Sequence, residues 1–461
     1  MRYATAHIAA VLTADILGRG DRVVTEVVND HRALPSEGGM LAALKGARTD
    51  GHAYVEAAAA GGAAAALVRR DRVGELQGLA DRVDLIAVDD VEEALWKLAV
   101  YHRSQYRGRV VAVTGSCGKT TTRAMLQSVL DAVAGRGCAT RGNQNNLLGA
   151  PMTVCRLDLT DPYLLAEIGT NAFGEIPRLA KLVQPQVGII TGVMRAHMEG
   201  FGDVRGVLKE KAALAQAIPA DGAVIIPSGD ALLMGDRGNW SCRVVTFGTQ
   251  DADDVRILEA REGVQASGRI AVGGAQLDVR LPVPGVFNLR NAAAALAAVH
   301  ALGFDVRDGV DALSTFQAEK MRMETRSIRG VTFVVDAYNA NPDSMKAALD
   351  TLAGFPGLRR AAVMGSMFEL GPHSPALHEE VGRHAGGLGL SLLVCVGAHA
   401  PAYAAGARAV GSGLLVVVAE SHEEAALAVR SWMQEGDVVL VKGSRGSQME
   451  RVTRLLEEGA R

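Results

Sequence analysis

Residues 110–125 read VVAVTGSCGKTTTRAM: four apolar residues, a turn with two glycines, the triplet Gly118-Lys119-Thr120, then a run suited to a helix. In such a strand–turn–helix setting, glycines let the backbone bend so that several N–H groups converge on phosphate oxygens. The following helix adds its positive N-terminal dipole. Lys119 supplies a cation to the β and γ phosphates, and the Thr120 hydroxyl is placed to ligate Mg²⁺. The usual phosphate-loop spacing asks for glycine at the position of Val113. Here the glycine is Gly115, a shorter form, T-G-x-x-G-K-T-T. Residues 115–121 are therefore the expected nucleotide cradle: Gly115, Ser116, Cys117, Gly118, Lys119, Thr120 and Thr121.

Working outward, the pattern around this stretch is α/β. Upstream, AALVRR and VDLIAVDD read as strands, YVEAAAAGGAA as a helix, and residues 92–107 as a helix with Leu95, Leu98, Ala99 and Tyr101 on one face. Downstream, the strand-like runs LLAEIG, VGIITGV and AVIIPSG alternate with helical ones, predicting a mostly parallel sheet covered by helices. GVFNLRNAAAALAAVHALG (285–303) reads as a loop entering an Ala-rich helix, with Asn288 as its expected N-cap. Further strands follow at VTFVVDAY, AAVMGS, LLVCVG, LLVVVA and DVVLVKG. The expected architecture is a small N-terminal α/β domain (1–95), a central P-loop-type ATPase domain with a mostly parallel sheet (96–318), and a Rossmann-like C-terminal domain (319–461).

Composition narrows the function class. A chain of 461 residues needs more than one core. Its net charge of −3, without basic blocks, argues against a general nucleic-acid or membrane-surface binder. The five cysteines are scattered without metal-ligand spacing, and the N-terminus is neither a signal nor a span. A reduced, cytoplasmic protein, monomeric and without membrane insertion, is the expectation.

The shorter loop resembles that of the Mur ligases, the ATP-dependent amide-bond-forming enzymes of peptidoglycan assembly. Further stretches carry the resemblance in order: TRGNQNNLLGAPMT (140–153), AEIGTNAFGEI (166–176) and AHMEGFGDVRGVLKEK (196–211). They continue with DAYNANPDSM (336–345), MGSMFELG (364–371) and VKGSR (441–445), and KGARTDGH (45–52) lies ahead of them. The last four are similar to signatures of the branch that joins D-alanyl-D-alanine to a UDP-linked muramoyl tripeptide.

The resemblance implies a carboxylate activated as an acyl phosphate, which an amine then displaces. That site needs phosphate clamps and cations more than a nucleophilic side chain. Glu167, ending an apolar run, is an oxygen ligand suited to Mg²⁺. By resemblance His197 joins the metal, and Lys211, with Lys209 as its rival, carries CO₂ as a carbamate that binds a second Mg²⁺. A carbamate requires a neutral amine and hence a depressed lysine pKa. Arg322 is implied at the γ-phosphate, Asn288 and Asn291 near adenine, and Asp336 at the ribose. Substrate contacts fall to Asp30, Arg32, Lys45, Asp50 and His52 for the UDP end, and to Asn143, Asn145 and Asn146. Tyr338, Asn339 and Asn341 are implied for the incoming dipeptide or nucleotide. ATP, two Mg²⁺ and the carbamylated lysine complete the implied cofactors.

The sequence departs from the family at five places. Cys117 stands for an asparagine, His31 for the serine of D-S-R, Gly192 for the asparagine of T-N, Phe287 for a histidine, and Ser366 for an aspartate. Two alternatives stay open on these grounds: a divergent ligase with another carboxylate and amine, or a non-catalytic nucleotide-binding scaffold.

Overall fold

A computed structural model of the chain describes residues 1–46, 49–355, 359–410 and 413–458. Within KGARTDGH, residues 47 and 48 lie outside them. The chain divides into two compact units, one of residues 1–112, 134–170 and 175–186, the other of 113–133, 171–174 and 187–461. The α/β reading holds in both. Among the described residues no helix is long and apolar enough to cross a membrane.

The first unit contains a five-stranded sheet. Its order is Asp15–Leu17, Asp84–Val88, Ala65–Arg69, Gly39–Ala42, Glu26–Val28, with only the first strand antiparallel to its neighbour. Leu41, Val55, Ala66, Val68 and Leu85 form the core under its helices. The helix Val91–Gln105 starts where the Asp90 carboxylate accepts the Glu93 N–H at 3.0 Å, and it buries Leu95, Leu98 and Ala99 as the spacing predicts. The same unit holds the parallel pair Cys138–Ala139 and Tyr163–Glu167.

The second unit contains two strand arrays. In one, Val187–Ile190, Ala223–Pro227, Arg243–Gly248 and Val255–Arg261 run parallel in succession, and Ser267–Val272 and Ala275–Arg280 add an antiparallel meander. The sequence reading found the first two and missed the rest, whose alternation is polar on one side. Helix Val286–Ala301 packs on this array. Nearly every alanine in it is buried, because a side chain of one carbon lets a helix lie close to strands. The expected N-cap at Asn288 is corrected. The cap position is Gly285, and the Glu262 carboxylate accepts the Val286 N–H at 2.9 Å. Asn288 sits inside the first turn, donating to the Pro284 carbonyl at 2.7 Å.

The other array is a six-stranded sheet in the order Glu324–Ile328, Val331–Asp336, Val438–Lys442, Arg360–Met364, Leu392–Val396, Leu415–Ala419. All neighbours are parallel except the first pair. Its strands are apolar on both sides because both faces are covered, one by the cluster of Val334, Leu349, Leu393 and Leu440, the other by that of Phe333, Val363, Val394 and Val452. Five strands were legible as continuous apolar runs. The antiparallel Glu324–Ile328 was not, since ETRSI has no apolar run.

One buried carboxylate organises the start of the chain. Asp84 has no solvent exposure and accepts from Thr5 Oγ1, from the backbone N–H groups of Arg19 at 2.8 Å and Gly20 at 3.0 Å, and from the Arg22 guanidinium. Removing it strands a cation and two amide donors. Asp84→Ala is expected to destabilise the first unit by about 3 kcal/mol. Hydrogen exchange should show faster amide exchange over residues 5–22, with the six-stranded sheet unchanged.

Candidate active site

The phosphate loop forms as the sequence predicts: strand Arg109–Thr114, residues 115–118 as the turn, and helix Lys119–Ala134. Gly115 and Gly118 have φ of 142° and 83°, backbone that side chains disfavour. A Cβ on Gly115 would overlap Thr191 Oγ1 and lie 2.9 Å from its nitrogen, and one on Gly118 would lie 2.6 Å from Asn291 Oδ1. Both glycines are therefore demanded by conformation and by space. The loop is tied to the segment after strand Val187–Ile190. Ser116 donates its backbone N–H to the Gly192 carbonyl at 2.9 Å, and its Oγ accepts the Met194 N–H at 3.0 Å. Thr191 Oγ1 donates to the Cys117 carbonyl, so Cys117 contributes backbone to the turn and is one of five free thiols. Lys119 Nζ reaches the Gly115 carbonyl at 2.8 Å, curling the ammonium over the loop.

Helix Val286–Ala301 meets the loop through its amides. Asn291 Oδ1 faces the Thr122 hydroxyl at 3.3 Å, and its Nδ2 donates to Asn288 Oδ1 at 2.9 Å. These two asparagines thus brace the phosphate-loop helix.

Lys211 and Lys209 separate cleanly. Lys209 is exposed, its ammonium 5.9 Å from the Phe173 ring centroid, whereas Lys211 is 1% exposed inside helix Val204–Gln216. Burial pushes the Lys211 amine well below its ordinary pKa, and the Lys119 charge pushes it further, against a smaller opposing pull from Glu210. His197, with φ of 54°, starts the short helix Met198–Phe201, and its Nδ1 meets the Glu369 carboxylate in an ion-pair contact. The expectation of His197 as a plain metal ligand is narrowed accordingly, since only Nε2 is left to face another group.

In the six-stranded sheet, Asp336 and Lys442 stand opposite each other at the C-terminal ends of adjacent parallel strands, the edge where ligands of open α/β sheets bind. The Lys442 ammonium pairs with the Asp336 carboxylate and donates to the Asn339 carbonyl at 3.1 Å, while Met323 N–H donates to Asp336 at 3.2 Å. Asp336 is therefore held by protein groups on both sides. The Arg322 guanidinium lies over the Tyr338 ring at 4.1 Å, a cation–π stack. Asn341 caps helix Pro342–Gly354 in a reciprocal box with Ser344. Phe287, where the family has histidine, packs against the apolar cluster of this sheet.

The loop 365–370 carries Ser366 and Glu369, and a buried histidine holds it. His378 Nε2 accepts the Met367 N–H at 2.9 Å while its Nδ1 faces the Ser374 carbonyl at 2.6 Å, which requires the Nδ1–H tautomer. Burial lowers its pKa to about 4, so the ring stays neutral. His378, Lys442 and Glu369 carry no signal of these partnerships in the sequence.

The first unit places the remaining candidates. Asp30 and Arg32 bind each other, and the Arg32 guanidinium lowers the Asp30 carboxyl to about 2. His31 stacks on Tyr54 at 5.0 Å. Lys45 pairs through its backbone with Asp50. His52 is buried, with Nδ1 on the Asp50 carboxylate at 2.6 Å and Nε2 accepting the Arg69 N–H at 2.9 Å. Both ring nitrogens are thus engaged within the fold, which corrects His52 from a substrate contact to a loop support. Asn143 is exposed, and its carbonyl accepts the Asn145 N–H at 2.8 Å. Asn146 Oδ1 accepts from Leu148 and Gly149 at the start of a helix. Asn145 Nδ2 donates to Glu167 Oε1 at 2.8 Å, and Glu167 is 1% exposed at its strand end. Among the described residues no three His, Cys, Asp or Glu form a ready metal cage.

Comparison with known proteins agrees with this geometry. Residues 113–299 match the Mur ligase middle domain, and 321–445 the Mur ligase, glutamate ligase domain. The chain belongs to the Mur ligase family. It is similar to the UDP-N-acetylmuramoyl-tripeptide–D-alanyl-D-alanine ligase of Escherichia coli (strain K12), at 33% identity over 98% of each chain. Among solved structures it resembles MurF from Acinetobacter baumannii, with a TM-score of 0.86 and 30% identity over 99% of each chain. MurF ligase from Thermotoga maritima in complex with ADP matches with a TM-score of 0.79 and 27% identity, covering 95% of this chain and 98% of that one. These matches place the chain in the MurF group of the Mur ligases, as the C-terminal signatures indicated.

Because Gly115 faces Thr191 without clearance, Gly115→Ala must displace the loop that the sequence reading expects to cradle phosphate. The variant is expected to stay folded and to lose at least about tenfold in ADP affinity by calorimetry, from strain and misaligned N–H donors. Unchanged affinity would show that the turn is not the phosphate cradle.

Proposed function

We propose that this Mur ligase joins D-alanyl-D-alanine to UDP-N-acetylmuramoyl-tripeptide with ATP, releasing ADP and phosphate, in the cytoplasm. The observation that carries the reading is the end-to-end similarity to ligases of this name together with a phosphate loop whose lysine and glycines have the geometry for ATP. In the reaction a carboxylate oxygen of the tripeptide attacks the γ-phosphorus, and the bond to the ADP oxygen breaks. The dipeptide amine then attacks the acyl carbon, phosphate leaves, and the nitrogen loses a proton.

The chain's own groups divide the work. Backbone N–H groups of the turn other than that of Ser116, which the Gly192 carbonyl holds, and the Lys119 ammonium are proposed to neutralise the β and γ phosphates, and Arg322 is proposed for the γ-phosphate. Thr120 and Glu167 are proposed to hold Mg²⁺, which when bound offsets phosphate charge. Asn288 and Asn291 are proposed for adenine and Asp336 for the ribose, as the resemblance implies. Asp30, Arg32, Lys45 and Asp50 are proposed for the UDP end, with Asn143, Asn145 and Asn146 on the muramoyl peptide. Tyr338, Asn339 and Asn341 take the dipeptide. The three-part division at 1–95, 96–318 and 319–461 follows that assignment of substrates.

The finer proposal concerns Lys211. A neutral, buried amine can attack the carbon of CO₂, forming an N–C bond and losing one proton to water, which leaves a carbamate anion. That converts an amine whose cationic form Lys119 disfavours into an anion attracted to Lys119, and would create an oxygen ligand for a second Mg²⁺. Burial and the neighbouring cation supply the depressed pKa that this requires.

Phosphate release is measured with each substrate omitted in turn and product mass recorded. Release that needs both, with a product heavier by the dipeptide less water, is expected. Silence with these substrates and turnover with another carboxylate and amine would favour the divergent reading, and assign the changes at His31 and Ser366 to retargeting. Lys211→Ala should lose at least about a hundredfold in rate, with partial rescue by short carboxylic acids. A ¹³C carbamate resonance should be present in the native enzyme under ¹³CO₂ and absent from the variant. No resonance and no rescue in a folded variant would remove the carbamate.

A further inference from the structure

The segment 192–197 is bonded on both of its sides. Toward the phosphate loop, the Gly192 carbonyl accepts the Ser116 N–H at 2.9 Å and the Met194 N–H donates to Ser116 Oγ at 3.0 Å, while Val193 N–H donates to the Asp230 carboxylate at 2.7 Å. Toward the C-terminal lobe, the Arg195 backbone N–H donates to Asp343 Oδ2 at 3.1 Å and its guanidinium to Asp343 Oδ1 at 2.7 Å. The same guanidinium forks onto both oxygens of Glu380 at 3.0 Å each, and Lys346 pairs with Glu380 from its other side. Two residues on, His197 meets Glu369, whose carbonyl also accepts the Glu199 N–H at 3.3 Å.

We propose that Arg195 is a positioning residue that clamps the lobe carrying Asn339 and Asn341 onto the phosphate loop, so that nucleotide at the loop sets the affinity for the amine substrate. Asp343 lies in the first turn of the helix that Asn341 caps, so a pull on Asp343 moves the loop proposed for the dipeptide. Only Val193 and Met194 separate Arg195 from Gly192, and Gly192 and Met194 hold Ser116, so a shift of the phosphate loop is passed along this short segment to Arg195. The fork geometry selects arginine, since lysine supplies charge without two parallel donors. The cluster carries two cations and two anions, with side chains about one-third exposed at 30% for Arg195, 31% for Asp343 and 35% for Glu380. Groups at that depth feel dissolved ions, so the clamp weakens as salt rises. The Arg195 hydrogen bonds lower the Glu380 carboxyl to about 2, so at neutral pH both partners are charged.

The kinetic arm rests on the ligase reading above and the scattering arm does not. Arg195→Ala, Arg195→Lys and Glu380→Gln are compared with the native enzyme from about 0.05 to 0.5 M KCl, a range over which the screening length falls more than threefold. For native enzyme, KM for D-alanyl-D-alanine should rise with salt. Arg195→Ala should begin about tenfold higher and stay flat, with KM for ATP within about twofold of native, and Arg195→Lys should fall between. Glu380→Gln, which keeps the shape of its partner, should reproduce the flat salt response if Arg195→Ala fails to fold. A dipeptide KM that follows native values at every salt, or equal losses toward ATP and dipeptide, overturns the proposal. In X-ray scattering with a non-hydrolysable ATP analogue, native enzyme should compact at low salt and less at high salt, and Arg195→Ala at neither. If the variant compacts like native enzyme, the clamp is refuted even where the substrates assigned above prove wrong.

Discussion

Two residues without side chains fix the shape of the turn between strand Arg109–Thr114 and helix Lys119–Ala134. At Gly115 and Gly118 the backbone takes positive φ and lies against Thr191 and Asn291, so neither the turn nor the neighbouring elements could stay where they are if a Cβ were added. Much of the second unit is arranged around that turn. Its strand feeds it, its helix begins at Lys119, the Ala-rich helix braces it through Asn291, and residues 191–194 close over it by hydrogen bonds. A loop held this way has a fixed backbone, and preorganisation is what electrostatic stabilisation of a transferring phosphoryl group requires.

Electrostatics then divide the lysines by environment. Lys119, on the phosphate loop, curls its ammonium onto a carbonyl. Lys211, fully buried and near Lys119, is driven toward the neutral amine by desolvation and by like charge. Lys442 is equally buried, yet it sits against Asp336, whose carboxylate offsets the cost of burying a cation. Three buried or half-buried lysines in one unit thus serve as clamp, amine and strut, and the difference lies in which charge each one faces.

The departures from the family pattern sort by contact. Cys117 offers the loop its backbone, so the change from asparagine leaves the turn intact. Phe287 joins an apolar cluster, where an aromatic ring contributes contact area in place of a polar ring. Ser366 is buried with its carbonyl accepting from Ser444 and Ser447, so its loop is secured through backbone as well as through His378. His31 differs, being stacked on Tyr54 at the edge of the candidate UDP end, where a ring replaces a small hydroxyl.

What sequence alone determined is what local chemistry dictates: the phosphate loop, the apolar strands with both faces covered, the α/β class and the order of motifs that carries the family. Each depends on neighbours a few residues apart, so each is written along the chain. Tertiary structure decided the rest. It separated a buried Lys211 from an exposed Lys209, because burial depends on which side of a helix meets the interior. It corrected Asn288 from cap to brace and His52 from contact to support, because the partners involved, Glu262, Thr122 and Arg69, are remote in sequence. It also supplied Arg195 and its two carboxylates, 148 and 185 positions away, a charge cluster that no spacing along the chain could announce.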